Sequence, residues 1–183
     1  MLNIGLIGKM RSGKDTVAAY LCEHYQFTQF AFGDGIKRLC MQLFPDQMRD
    51  AKPRALLQGV GQSLRNFDQD VWLNRTMNEI EVRRQLGSAG NAVISDARQP
   101  NEIEKLKSLG FVLIRINTPD EVRIERMQAS GDSFKPEDLV HETEASIDLY
   151  PVNYEVYNTG GFVNLYYQLD YVMADIIHKQ TNK

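Results

Sequence analysis

The sequence predicts an α/β domain in which a parallel five-stranded sheet is covered by helices on both faces. Three observations carry this. Short apolar runs alternate with helical stretches along the chain, a glycine-rich turn follows the first run, and an aspartate ends the third. Functional residues are then expected along the C-terminal edge of the strands, where open α/β sheets bind ligands.

The first run, Ile4 to Ile7, has strand length and leads into Gly8-Lys9-Met10-Arg11-Ser12-Gly13-Lys14-Asp15-Thr16. Two glycines separated by four residues and followed by lysine give the phosphate-binding spacing G-x-x-x-x-G-K. Glycines let backbone N–H groups converge on phosphate oxygens, and the helix that follows adds the positive end of its dipole. Lys14 reaches the outer phosphates. The spacing also arises by chance. Here it sits between a strand and the amphipathic set Val17, Ala18, Leu21, Cys22 and Tyr25, which is the context the motif requires. In place of the usual Ser or Thr after the lysine, which contacts magnesium, stands Asp15, with Thr16 behind it.

At 183 residues the chain suits one domain with a substantial core, spanning 1–183. Its 43% apolar and 25% charged residues are ordinary for a globular protein. A net charge of −3 argues against a nucleic-acid polymer as partner. Cys22 and Cys40 are the only cysteines, and no Cys-x-x-Cys occurs, which disfavours zinc and fits a reduced, cytoplasmic setting. Cys22 reads as inert core. The chain starts on a core strand and no apolar run approaches transmembrane length, so no membrane partner is expected. Asn74-Arg75-Thr76 matches a glycosylation acceptor but has no role without a secretory signal.

Phe27 to Phe32 reads as the second strand, ending in a Gly33-Asp34-Gly35 turn, with Ile36, Leu39, Cys40 and Leu43 at helical spacing beyond. Asp34, Lys37 and Arg38 lie just past a strand end, as ligand contacts or as a solvated turn. Pro53 opens a helix striped by Leu56, Leu57, Val60 and Leu64. Gly59 and Gly61 each cost about 1 kcal/mol in a helix relative to Ala, which close approach of a ligand or another helix would justify. A further helix follows Trp72 to about Leu86, and Gly87 to Gly90 close it. This block reads as a helical, substrate-covering insert.

Asn91 to Asp96 is the third strand, and an acid at its end holds or waters magnesium in phosphate-loop sites. Arg98 is close enough to aim at a transferring phosphate. Pro100 starts a helix carrying Ile103, Leu106 and Leu109, Gly110 ends it, and Phe111 to Ile116 is the fourth strand. Thr118-Pro119-Asp120-Glu121 has a helix-start signature with Thr118 as N-cap. Asn117 to Asp120 lacks the lysine of the guanine-reading Asn-Lys-x-Asp. Arg123 and Arg126 share a helix face, as solvated charge or as a lid that clamps ATP. Met127 to Val140 is polar and contains Gly131 and Pro136, as a lid would. His141-Glu142-Thr143-Glu144 lacks the second histidine of His-Glu-x-x-His, so zinc is rejected. Tyr154 to Tyr157 is the fifth strand, Asn158 to Gly161 a turn, and the last helix presents Phe162, Leu165, Tyr166, Leu169, Val172, Met173 and Ile176 to the core.

With these segments in place, the chain resembles the deoxynucleoside monophosphate kinases of the phage type, related to adenylate kinases. The loop Gly8 to Thr16 looks like theirs, in which an aspartate likewise follows the lysine. Phe30 to Lys37 is similar to their Phe-Ala-Asp-Pro-Leu-Lys stretch, with departures at Gly33 to Ile36. Leu56 to Gly61, continuing through Arg65 to Trp72, is similar to their monophosphate-binding region. Ser95-Asp96-Ala97-Arg98-Gln99-Pro100-Asn101-Glu102 is similar to their Ser-Asp-x-Arg-x-Pro-Asn-Glu signature. The likeness runs from about Leu2 to Gly161.

The resemblance implies a phosphate-loop NTPase fold of three layers, with a helical monophosphate-binding insert at about 34–90 and a short lid at about 119–147. It implies ATP-dependent phosphorylation of a nucleoside or deoxynucleoside monophosphate, with Mg2+. In that reading Gly8, Arg11, Ser12, Gly13, Lys14, Asp15 and Thr16 hold the phosphates of ATP, Arg123 and Arg126 close from the lid, and Gly160 touches the adenine. Asp15, Thr16 and Asp96 arrange magnesium. Asp34, Lys37, Gln58, Arg65 and Arg98 position the acceptor, and Trp72 is a base-stacking ring or an ordinary buried aromatic. Lys14, Asp96, Arg98 and Arg126 carry the transfer. Two alternatives stay open: a kinase of another small acceptor such as dephospho-coenzyme A, and a nucleotide-binding regulator. The chain is expected to act as a monomer or homodimer.

Overall fold

The computed structural model describes residues 1–49, 53–130 and 147–182. The strands are β1 (Asn3–Ile7), β2 (Phe27–Phe30), β3 (Asn91–Ala97), β4 (Val112–Asn117) and β5 (Tyr154–Tyr157). The helices are α1 (Lys14–Tyr25), α2 (Phe32–Leu43), α3 (Arg54–Phe67), α4 (Val71–Gln85), α5 (Pro100–Ser108), α6 (Asp120–Ala129) and α7 (Phe162–Thr181), with short 3-10 turns at Pro45–Met48 and Ile147–Leu149. The strands form one sheet in the order β2-β3-β1-β4-β5, and every pairing is parallel. The expected α/β fold is thus present, with the central strands apolar on both faces as a doubly covered parallel sheet demands.

Alternate residues of each strand feed two cores. Ile4, Leu6, Val93, Ile114 and Ile116 point to one side, where they meet Val17 and Leu21 of α1 and Leu165, Leu169, Val172 and Ile176 of α7. Ile7, Ile94 and Leu113 point to the other, against Phe32, Trp72, Leu73, Ile80, Ile103 and Leu106. Two-residue periodicity in the strands and 3.6-residue periodicity in the helices make this division.

Beyond one-residue shifts at the ends of β1, β3 and β4, two boundaries differ from the sequence reading, each for a tertiary reason. The second strand stops at Phe30, and Gly33-Asp34-Gly35 is the first turn of α2 rather than a loop. The Asp96 carboxylate, arriving from β3, accepts the N–H groups of Phe32 at 2.8 Å and Gly33 at 2.9 Å. These are orphan donors of a helix start, so α2 begins where that acid caps it. Thr118 does not cap α6. Its hydroxyl donates to the Ser12 carbonyl at 2.9 Å, and the helix starts at Asp120 after Pro119.

All described elements between β2 and β3 are helical. Of the two glycines in α3, Gly61 sits at a close helix approach: a Cβ there would lie 2.9 Å from Ile36 Cδ1. Gly59 meets nothing within 4 Å.

Candidate active site

Ile7 of β1 is paired in register with Ala97 of β3. The residues that follow, Gly8 and Arg98, therefore leave the sheet side by side at its C-terminal edge, about one strand spacing (~5 Å) apart. This places the glycine-rich loop next to the Asp96–Glu102 segment.

The loop is held from outside by its carbonyls. Lys14 Nζ donates to Gly8 O at 2.6 Å and Lys9 O at 2.9 Å. Arg123 Nε donates to Met10 O at 2.8 Å, and an Arg126 NH group reaches Arg11 O at 3.3 Å. Ser12 O accepts from Thr118 Oγ1 and from Asn158 Nδ2, both at 2.9 Å. With the carbonyls turned to these partners, the alternating backbone, left-handed at Arg11 (φ 63°) and Gly13 (φ 99°), forms a concave run of amides. Such a nest at a helix N-terminus takes an anion. Ser12 Oγ is buried and has no hydrogen-bond partner among the described residues. Gly8 has no room for a side chain, since a Cβ would lie 2.6 Å from Ser12 Oγ and 2.8 Å from Ile116 O.

Arg123 is 2% exposed, with one guanidinium nitrogen 2.5 Å from Asp120 Oδ1. Its burial and its backbone bond hold it under the loop as a strut. Arg126 also donates to Asn158 Oδ1 at 3.0 Å. Asn158, 2% exposed, thereby links α6, the end of β5 and the phosphate loop. Sequence reading missed it as a functional residue; its position directly past the last strand of the sheet was the available signal. Arg11 donates to Ser130 Oγ at 2.8 Å. Residues 131–146, including Gly131, Pro136 and His141 to Glu144, lie outside the described residues.

On the other side of the edge, Glu102 is buried and Asp96 half-buried. Burial pushes the Asp96 carboxyl up from its usual range, against the lowering effect of the Gly33 and Phe32 amides. Glu102 is raised for the same first reason, opposed by the Gln99 and Arg98 amides. Arg65 of α3 lies 3.7 Å from Glu102 Oε1 with its side chain 18% exposed, turned toward this segment rather than outward. Exposed Gln58 stands two turns before Arg65 on the same helix face.

Three expected acceptor contacts are placed differently. Asp34 and Lys37 pair with each other at 2.9 Å. They line a pocket of about 320 Å³ with Gln29, Arg38, Thr76, Glu79 and Arg83, between the sheet's β2 edge, α2 and α4, and neither Arg65 nor Arg98 lines it. Helical spacing explains this: Asp34, Lys37 and Arg38 share one face of α2, which Arg38 turns toward Glu79 of α4. Trp72 is 4% exposed, donates its indole N–H to Gly61 O at 3.1 Å, and packs beside Gly35. It is a core pin between α2 and α3 and has no ring face to offer a base.

A second pocket, about 340 Å³, opens beside the loop between Lys9, Ile116 to Pro119, Asp148, Tyr157 and Thr159. Exposed Gly160 adjoins its rim. Asp15 is exposed and Thr16 half-buried in the first turn of α1. Among the described residues no cluster of three or more His, Cys, Asp and Glu is placed to hold a metal. Thr16, Asp15 and Asp96 supply a hydroxyl and carboxylates of the kind magnesium takes, in the small number it needs when phosphates and water complete its shell. Among these residues no helix is long and apolar enough to cross a membrane.

The sequence model of the AAA domain family AAA_18 matches residues 4–145. A protein of Acanthamoeba polyphaga mimivirus described as "Putative deoxynucleotide monophosphate kinase" is 28% identical over 179 residues, covering 84% of this chain and 89% of its own length. Among solved structures, TT1252 from Thermus thermophilus matches with a TM-score of 0.59 at 18% identity, covering 95% of this chain and 97% of its own. Shikimate kinase from Aquifex aeolicus vf5 gives 0.53 at 18% identity, covering 96% and 99%. Identities this low speak for the fold alone. The family match, by contrast, spans most of the sequence and starts on the strand that feeds the phosphate loop, so the chain belongs to the AAA domain family AAA_18.

Proposed function

We propose that the chain transfers the terminal phosphoryl group of ATP to a nucleoside or deoxynucleoside monophosphate. The single observation that supports this best is the juxtaposition at the β1 and β3 ends. A carbonyl-anchored amide nest with Lys14 stands on one side; on the other stand Arg65, whose guanidinium faces Glu102, and Arg98, whose peptide N–H bonds the same carboxylate. Such transfer needs two polyanions aligned end to end with their repulsion offset, and little covalent help. The description of the mimivirus relative supports the same acceptor class.

The residues divide the work as follows. Amides of Gly8 to Lys14 bind the donor phosphates, and the Lys14 ammonium leaves the Gly8 and Lys9 carbonyls to follow the charge of the transferred group. Arg65 and Arg98 bind and orient the acceptor phosphate. Arg126, at the loop's outer rim, adds positive charge. Thr16, Asp15 and Asp96 would hold Mg2+, which when bound would neutralise phosphate charge. The pocket past Thr118 and Thr159 takes the donor's base. Asp96 keeps α2 docked on the sheet edge.

The test is ATP consumption by the purified chain against a panel of nucleoside and deoxynucleoside monophosphates, with shikimate-like hydroxy acids and dephospho-coenzyme A alongside. Stoichiometric ADP and nucleoside diphosphate support the reading. Turnover confined to the other acceptors, or ATP hydrolysis that no acceptor stimulates, overturns it.

A further inference from the structure

Glu102 is 4% exposed, in the first turn of α5. Its two oxygens serve different elements. Oε2 accepts the backbone N–H groups of Arg98 and Gln99, each at 3.0 Å. Oε1 faces the Arg65 guanidinium of α3 at 3.7 Å. A glutamate at the third helical position commonly accepts a backbone N–H near the helix start. Capping accounts for Oε2 and leaves Oε1 unexplained. Withdrawing a carboxylate from water is costly, and the cost falls when a cation shares the site.

Arg65 comes from the helical insert and Arg98 from the sheet edge, so their separation depends on how the insert is docked. Two guanidiniums brought to one phosphate also repel each other until the anion arrives. A carboxylate that faces the Arg65 guanidinium and holds the Arg98 peptide offsets charge at the first and fixes the backbone from which the second extends. The adjoining residue makes a second tie between the same elements: Asn101 Nδ2 donates to Asp70 Oδ1 at 2.7 Å and to Gln69 O at 3.4 Å, at the corner joining α3 to α4.

We propose that Glu102 is a positioning residue that sets Arg65 and Arg98 at the spacing of one phosphoryl group, through an ion pair to the first and the peptide of the second. This deepens the acceptor reading above and rests on it for the identity of the acceptor, though not for the existence of an anion site. Glu102 touches no substrate; it acts through the arginines.

The experiment compares wild type, Glu102→Gln, Glu102→Asp and Arg65→Met, with NMR titration of inorganic phosphate as the first readout. The Gly13 amide reports the donor loop, and the Arg65 side-chain Nε–H reports the acceptor side. In Glu102→Gln we expect the phosphate Kd read at Arg65 to rise about tenfold, with the Kd at Gly13 within about twofold of wild type. Glu102→Asp, which keeps the charge on a shorter stem, recovers part of the loss. With a turned-over acceptor, the same substitution raises the acceptor KM and leaves the ATP KM and kcat close to wild type. Added to Arg65→Met, it costs little more. Equal weakening at both reporters assigns Glu102 a fold role only and overturns the proposal, as does an unchanged Kd at Arg65. Should Glu102→Gln fail to fold, Arg65→Met and the wild-type titration decide. A wild-type Arg65 Nε–H that does not respond to phosphate overturns the proposal. Failure of every nucleoside monophosphate to be turned over refutes the acceptor class alone, because the phosphate titration reads the site without it.

Discussion

The Asn158 side-chain amide donates to the Ser12 carbonyl at 2.9 Å, joining positions 146 residues apart. One amide group thus does two jobs: its nitrogen turns a phosphate-loop carbonyl outward, and its oxygen receives Arg126 at 3.0 Å. Backing the loop in this way also fills the space behind Gly13, where a Cβ would lie 2.3 Å from Asn158 Nδ2.

Gly13→Ala is therefore expected to suffer twice. A left-handed φ of 99° disfavours any L side chain by about 1–2 kcal/mol. The methyl also displaces Asn158, so the ATP KM should rise together with the stability loss. Urea unfolding and ATP titration check this; a variant with wild-type values for both would contradict the packing described.

Asn158→Ala keeps Gly13 unstrained and removes only the bridge. Ser12 O retains Thr118, while Arg126 loses a partner, so a cost of roughly 1–3 kcal/mol is expected with weaker ATP binding. If Thr118→Val is added, the effects should exceed their sum, because both residues hold one carbonyl.

Lys14→Ala is expected to lower phosphoryl transfer by at least about 10²-fold, the scale for losing one preorganised charge stabiliser. The ammonium caps two loop carbonyls at 2.6 and 2.9 Å, so circular dichroism and thermal unfolding should accompany the assay. Undiminished turnover would remove Lys14 from the mechanism.

Arg123→Met tests the strut against the clamp. Removing the guanidinium that donates to Met10 O and pairs with Asp120 costs about 1–3 kcal/mol, so unfolding should register the change before the acceptor KM does. A rate loss with unaltered stability would instead mark a guanidinium that reaches the donor phosphates.

Glu102 gives a pH dependence of definite sign. Burial raises its folded pKa above the unfolded value, so the folded state holds the proton more tightly. Its contribution to stability is full below the unfolded pKa and is lost as pH rises through the folded one. Glu102→Gln cannot titrate. Wild type should accordingly lose stability relative to Glu102→Gln as pH climbs from about 4 toward neutrality, the unfolded glutamate titrating near there. Denaturant midpoints across that range measure it, and the opposite slope would mean that the Arg65 pairing outweighs burial.

Much of this protein was legible in the order of its residues. Local chemistry sufficed for the loop, because strand, glycines, lysine and helix are contiguous from Ile4 to Leu21. Periodicity sufficed for the five strands and for the apolar stripe of α7, since burial on a face is written at fixed spacing. Tertiary structure alone decided what distant residues do to one another. Asp96 moved the start of α2 back to Phe32 by capping it from another strand, and Thr118 gave its hydroxyl to Ser12 instead of its own helix. Trp72 and Arg123 went into the interior, and Asp34 and Lys37 turned toward α4, for reasons set by neighbours far along the chain. The physical reason is common to all of these. A hydrogen-bond donor or a buried charge takes whichever partner the packed fold brings within about 3 Å, and sequence spacing carries no information about that partner.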